Sequence, residues 1–375
     1  MYNHSMNLET LATPSLVLDV ERVRRNAQRM SDRVTALGAR LRPHVKTHKC
    51  IEVARIQTAG HMGAITVSTL AEARAFARHG FSDITYAVPI EPGKFQPAVE
   101  LARACERLSL ITDDPDIPPL LNEAAGQAGV ILDLLLKVDC GYHRCGVEPN
   151  TTEATAIPQL IMDATNLRFA GILTHAGHSY HCQNFAERLE IARHERDVMV
   201  ELAERLRQGG IQVPIVSIGS TPTITACDTL NGVDEVRPGN YIFFDAFQAE
   251  IGSCDLSDCA LNVLAAVVHR DPKREKAVID AGAIALSKDR GAVEFNPTCG
   301  YGRIFDLDGN ELTLQLVSLS QEHGEVQGKD VEKLSIGSRV RVLANHSCLT
   351  AAQHRYYNVL EKGEIVDTWE IHQGW

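Results

Sequence analysis

The chain has 375 residues, of which 44% are hydrophobic and 23% charged. These are ordinary globular values, and the length suffices for one large domain and a smaller one. A net charge of −11 argues against a nucleic-acid surface.

Met1–Glu9 has no basic segment leading into an apolar core, so no signal peptide is read there and a cytoplasmic protein is expected. Ser15–Asp19 reads as a strand after Thr13-Pro14, and Val23, Ala27, Met30 and Val34 then recur at helical spacing. A further strand is expected to end at Lys46. Beyond it the chain alternates. Strands are expected at Ala64–Thr69, Asp83–Val88, Leu108–Thr112, Ile131–Asp139, Phe169–His175, Pro214–Ile218 and Glu235–Arg237. Helices such as Leu70–His79, Ile117–Ala128 and Phe185–Gln208 separate them.

Alternation of this kind means parallel pairing with right-handed crossovers. Eight strands close a (β/α)8 barrel, placed at 21–247. An open doubly wound sheet competes, but it would want a glycine-rich turn after its first strand, and G-x-G-x-x-G is missing. The longest apolar run, Val130–Leu136, is too short to span a bilayer and carries Asp133.

After Asp245 strand-like runs dominate: Leu261–His269, Ala277–Asp280, Leu312–Ser318, Arg339–Val342 and Glu364–Trp369. An all-β domain is expected over 248–375, with 1–20 contributing Ser15–Asp19 as an extra strand. The ten cysteines include no Cys-x-x-Cys, so they read as free thiols rather than a four-cysteine zinc knuckle.

Barrel enzymes carry their reactive groups at the C-terminal ends of strands. Lys46 is expected there, flanked by His44 and His48 in Arg42-Pro-His-Val-Lys-Thr-His-Lys49. On a strand the three would share a face. An amine with its pKa depressed by such neighbours could attack a carbonyl to form a Schiff base; a solvated basic strand end is the plainer alternative. Arg144, the His175–Tyr180 cluster and Arg237 fall on the same rim.

Gly219-Ser-Thr-Pro222 suits a helix start, with Ser220 or Thr221 as N-cap and Pro222 at the first position. Free N–H groups and the helix dipole there suit an anion, a phosphate above all. Gly239-Asn240, after the eighth strand, would add two donors. His346 and Cys348, two apart on an expected strand, would form a chelating pair favouring zinc, with open positions for water or substrate. A buried free thiol is the competing reading.

Together these stretches resemble the fold-type III pyridoxal-phosphate enzymes, in particular the D-serine dehydratase and D-threonine aldolase group. The likeness runs from Thr13-Pro-Ser-Leu-Val-Leu-Asp19 to Val366-Asp-Thr-Trp-Glu370. It implies an alanine-racemase-like barrel with a β domain. It also implies that Lys46 bonds covalently to pyridoxal 5'-phosphate and that Arg144 approaches the ring's phenolic oxygen. Tyr180 would contact the cofactor, and Ser220, Thr221, Gly239 and Asn240 would cradle its phosphate. His346 and Cys348 would hold a divalent metal, expected to be Zn2+.

The implied reaction is loss of water from a D-3-hydroxy amino acid, D-serine or D-threo-3-hydroxyaspartate. The Ser-Thr-Pro-Thr run and the Gly-Trp C-terminus match the latter's dehydratases too. A D-threonine aldolase is the alternative, though that branch has Asp where Cys348 stands. A racemase would need a second base, for which Tyr301, Tyr356 and Tyr357 are candidates. A cofactor-carrying protein without chemistry resembles a bare barrel and would lack the β domain. A homodimer is expected, with no nucleic-acid or membrane partner.

Overall fold

The computed structural model describes residues 7–61 and 63–375; the first six residues of the stretch read above for a signal peptide lie outside the described residues. Among the described residues no helix is long and apolar enough to cross a membrane. The chain divides into two compact units. One holds the residues up to Gln28, Thr47–Ile56 and Asn240–His372; the other holds Arg29–Lys46, Gln57–Gly239 and Gln373–Trp375.

The first strand, β1 (Ser15–Asp19), lies in the former, the β unit. The latter, the barrel unit, contains β2 (Arg40–Leu41), β3 (Ile65–Val67), β4 (Asp83–Pro89) and β5 (Arg107–Thr112). Then come β6 (Leu132–Lys137), β7 (Leu167–Leu173), β8 (Val216–Ile218) and β9 (Glu235–Val236). The sheet order is β2-β9-β8-β7-β6-β5-β4-β3, every pair parallel. A parallel bridge between His44 and Thr66 joins the two ends of that order, and the Thr66 N–H donates to the Pro43 carbonyl at 2.9 Å. The result is an eight-stranded barrel with helices between its strands.

Local chemistry explains these elements. β6 is buried at every position, as a parallel strand covered on both faces must be. Its one acid, Asp133, is paired with Arg107 and Arg168, both at 2.6 Å. Helix Ile117–Ala128 has proline in its first turn and stops at Gly129, whose φ is 65°. Helix Phe185–Gln208 is capped by the Asn184 side chain, which accepts from the Glu187 N–H. Both helices run over the predicted spans.

β2 is only two residues long, and a buried ion pair holds the chain beyond it. Arg42 Nε meets Glu235 Oε2 at 2.8 Å, and Nη1 meets Asp83 Oδ1 at 2.7 Å. Burial works against the guanidinium charge, but the two carboxylates outweigh it and push the pKa above its usual value. Removing Arg42 would take this partner from the buried Glu235 carboxylate, at a cost of about 3–5 kcal/mol. Arg42 thereby fixes the start of the segment that carries Lys46.

The β unit continues with β10 (Leu261–Asp271), β11 (Lys276–Ile279), β12 (Gly302–Phe305) and β13 (Glu311–Leu319). β14 (Gly324–Gln327), β15 (Arg339–Ala344), β16 (Tyr356–Glu361) and β17 (Glu364–Glu370) follow. The order is β11-β14-β13-β12-β15-β10-β1-β16-β17, and β11 also pairs with β10. Six strands therefore close on themselves, while β1, β16 and β17 extend from β10. β1 pairs antiparallel with β10 and parallel with β16. Val17, Leu264 and Leu360 pack there with Leu8 and Leu11.

Three strands were not expected from the sequence. β12 and β14 have four residues each, too few to show an alternating pattern. β16 reads Tyr-Tyr-Asn-Val-Leu-Glu, and its burial does not alternate.

Candidate active site

Lys46 does not end a strand. It lies in a 3-10 turn, Val45–Thr47, so the alternation that would put it on one face with His44 and His48 does not hold. The Lys46 N–H donates to His44 Nδ1 at 3.4 Å, and His44 Nε2 lies 3.4 Å from Ser68 Oγ. His48 is buried: its Nδ1 accepts the Cys50 N–H at 3.0 Å, and its ring meets Phe243 edge-on at 6.2 Å. Pro43, the two-residue β2 and the Arg42 ion pair are what break the strand early.

The charge around His175 defines the barrel site. Burial, then the positive charges of Lys46, Arg144, Lys137 and Arg237, push the His175 pKa well below its usual value. His175 is therefore neutral at physiological pH, and four cations converge near it. Burial likewise lowers the pKa of Lys137, whose amine donates to the Val138 carbonyl at 2.8 Å. Arg237 is buried and donates to Ser217 Oγ and to the Thr174 carbonyl. Burial pulls its pKa down to about 10, against the pull of Glu235 and Glu195.

Arg144 sits on a loop organised by Asp139. One Asp139 oxygen accepts the N–H groups of Gly141 and Tyr142, both at 2.9 Å, and the other takes that of His143 at 3.0 Å. Burial opposes the Asp139 charge, but these donors hold its pKa below the usual range. Arg144 stacks over the Tyr142 ring at 5.1 Å. Tyr142 meets His175 edge-on at 6.3 Å, and Tyr180, in the turn Gly177–His181, lies 6.4 Å from His175. A Cβ at Gly177 would come 2.2 Å from the Tyr142 ring, so only glycine lets the two segments approach.

Ser220, not Thr221, caps helix Thr221–Ala226. The Ser220 N–H donates to Thr223 Oγ1 at 2.9 Å, and Ser220 Oγ lies 3.1 Å from Ser179 Oγ. The Gly219 N–H is taken by Glu195 Oε1 at 3.1 Å. Two of the donors expected to face an anion are therefore committed internally. Gly219, with φ 101°, makes a turn that a side chain would block, since a Cβ would meet Ile224 at 2.9 Å. Glu195 also accepts the Ala176 N–H at 3.0 Å, so one buried carboxylate ties the ends of β7 and β8 together.

In the β unit, His346 and Cys348 are not on a strand either. β15 stops at Ala344; His346 is the N-cap of helix Ser347–Ala351 and Cys348 lies in its first turn. The reason is Asp245. Its Oδ2 accepts the Ser347 N–H at 3.0 Å, Ser347 Oγ at 3.2 Å and Asn240 Nδ2 at 2.7 Å, turning the chain into a helix. The Asn240 side chain serves this turn.

His346 Nδ1 is 2.9 Å from Asp289 Oδ2, a carboxylate that the sequence reading missed. Burial works against a charged His346, but Cys348, Asp289 and Asp245 outweigh it and raise its pKa well above the usual value. With Nδ1 on Asp289, Nε2 is the ring atom left to bind a metal. The Cys348 thiol donates to Thr47 Oγ1 at 3.4 Å, and Thr47 follows Lys46 in the chain. Among the described residues no group of three or more His, Cys, Asp or Glu could hold a metal, so this histidine and cysteine would supply two ligands.

The model described as "Alanine racemase, N-terminal domain" matches residues 18–246, and "Putative serine dehydratase domain" matches residues 260–360. The chain is 39% identical to a D-threo-3-hydroxyaspartate dehydratase of Delftia sp. (strain HT23), over 98% of this chain and 99% of that protein. It is 34% identical to a D-serine dehydratase of Dictyostelium discoideum over the whole of both. The solved Delftia dehydratase superposes with a TM-score of 0.95 at 39% identity, over 99% of this chain and 100% of that one. A D-threo-3-hydroxyaspartate dehydratase is also solved as a histidine-to-alanine mutant and as a cysteine-to-alanine mutant in the metal-free form, the two positions two residues apart. Joining an alanine racemase N-terminal domain to a serine dehydratase domain, and matching these dehydratases along nearly its whole length, this chain belongs to the D-serine dehydratase family of alanine-racemase-like enzymes.

Proposed function

We propose that this protein is a pyridoxal-phosphate- and divalent-metal-dependent dehydratase. It removes water from a D-3-hydroxy amino acid, D-serine or D-threo-3-hydroxyaspartate, to leave a 2-keto acid and ammonia. The observation that supports the reading is the bond from His346 Nδ1 to Asp289, which would leave Nε2 of a histidine beside a cysteine as the ring atom for a metal.

The residues present fit both groups. Pyridoxal phosphate is an anionic aldehyde, and Lys46, Arg144, Lys137 and Arg237 bring an amine and positive charge around a neutral His175. Imidazole and thiolate together favour zinc. When bound, the cofactor withdraws electrons from the substrate's Cα, and the metal makes the β-hydroxyl a better leaving group.

The chain's own residues do the rest. The Lys46 amine holds the cofactor and then takes the Cα proton. Arg144, braced on Tyr142, sets charge beside the ring, and Tyr180 packs against His175. Ser220, Thr221, Gly239 and Asn240 hold the phosphate; the Ser220 N–H is taken by Thr223 Oγ1, which leaves the Ser220 hydroxyl for the anion. His346 and Cys348 hold the metal, and Asp289 keeps the imidazole in the tautomer that can bind it.

Cys348 in place of an aspartate favours dehydration over aldol cleavage. Of the three tyrosines that could serve a racemase as a second base, Tyr357 is buried and committed, its hydroxyl donating to the His48 carbonyl at 2.8 Å. A homodimer belongs to the same reading.

The test is a panel of D-serine, L-serine, D-threonine, D-threo-3-hydroxyaspartate and D-alanine, with keto acid, aldehyde and racemisation all measured. Keto acid from the D-hydroxy acids alone is expected. Aldehyde as the main product, or racemised alanine without keto acid, would overturn the reading.

A further inference from the structure

We propose that the β unit carries a binding site for a small monocarboxylate, centred on Arg341. Arg341 stands on β15, opposite Leu264 of β10 and Phe305 of β12. It is only 9% exposed and its Nε is buried without a partner. A guanidinium stays protonated at any physiological pH. Burying one with its donors unmet is costly, and natural structures pair such groups. Burial and the neighbouring Arg22 both disfavour its charge, while Asp19 and Asp306 partly offset them, so an anion held by the guanidinium would compensate it directly.

A second observation points to the ligand. Arg341 lines a cavity of about 200 Å³ together with Arg22, Ser257, Asn262, Phe305 and Leu343. That is room for a short organic acid. The polar lining would meet the carboxylate, which a guanidinium fork grips with two parallel bonds. Phe305 and Leu343 would cover an apolar tail.

The nearby acids set the ligand's charge. Asp19 is engaged by Arg22, its Oδ2 at 3.0 Å from Nε. The Asp306 oxygens accept the Asn310 N–H at 2.8 Å and the Asn310 amide at 2.9 Å. Neither bonds to Arg341, yet both favour its charge, so part of the local positive charge is already offset. One carboxylate fits this balance better than a dianion. No part of the argument depends on the reaction proposed above.

The test is calorimetric titration of the purified full chain with propionate and with pyruvate, at constant ionic strength, against chloride and sulfate. Saturable carboxylate binding is expected, with sulfate weaker. Arg341→Met should weaken it at least about tenfold, the loss of one ion pair. Magnetisation transfer from the propionate methyl group to the Phe305 ring of the unaltered protein gives a readout that survives if the variant fails to fold. Absent saturable binding, equal binding of sulfate, undiminished binding to Arg341→Met, or no transfer to Phe305 would each overturn the proposal. So would sedimentation showing that Arg341→Met instead breaks an assembly of copies, since the cavity would then hold a partner's side chain.

Discussion

Replacing Asp289 by asparagine isolates one interaction in the metal centre. The Asp289 carboxylate makes two contacts: Oδ1 accepts the Gly291 N–H at 2.6 Å, and Oδ2 meets His346 Nδ1 at 2.9 Å. Asparagine keeps an oxygen for Gly291, so the loop should stay in place. Its amide nitrogen then faces His346 and donates to Nδ1. That favours the tautomer protonated at Nε2, the atom a metal needs. Loss of such an outer partner typically weakens metal binding about 10–100-fold, and inverting the tautomer preference argues for the upper end, about 2.7 kcal/mol. Zinc affinity would be read by competition with a chromophoric chelator, with circular dichroism reporting the fold. A large loss of affinity with an unchanged fold is expected. Unchanged affinity in the folded variant would refute the assignment of Asp289 and with it the choice of Nε2.

Lys46→Ala should remove the visible absorption of the bound cofactor and its borohydride-reducible adduct; a variant that still yields a reducible adduct would show that another amine carries it. Glu195→Gln probes the carboxylate that ties the ends of β7 and β8. Burial raises the Glu195 pKa, against the opposing N–H groups of Gly219 and Ala176. The folded state thus holds the proton more tightly than the unfolded chain. This contribution to stability is complete below the ordinary glutamate pKa of 4.5 and is lost as pH rises through the folded value. In urea unfolding followed from pH 4 upward, the unaltered protein should lose stability relative to Glu195→Gln. A difference that stays flat with pH would contradict it.

Most of the barrel was legible because its signals are strong and local. β6 is apolar but for Asp133 and the terminal Lys137, and the helices Ile117–Ala128 and Phe185–Gln208 carry their own start and stop signals. What failed was register near the two chemical centres. Lys46 and His346–Cys348 both looked like strand residues from spacing alone. The structure puts each in a tight turn, one after the Arg42 ion pair and the other on the Asp245 carboxylate. Those partners come from distant parts of the chain, and two-residue spacing cannot reveal them. Asp289 lies 57 residues from His346, and Ser287-Lys-Asp-Arg-Gly291 has no motif to announce it. Glu195, hidden within a long amphipathic helix, likewise reads as an ordinary surface acid. Nor did Arg341 stand out, since an arginine in a strand becomes conspicuous only when its partners can be counted.

Metal removal tests the central claim most directly. The purified protein, loaded with cofactor, would be treated with a chelator and assayed for keto acid from D-serine and from D-threo-3-hydroxyaspartate. Turnover should fall to background while circular dichroism and the cofactor's visible absorption persist, and zinc should restore it, with metal analysis near one equivalent per chain. Turnover of both substrates unchanged after complete removal of metal would contradict the account.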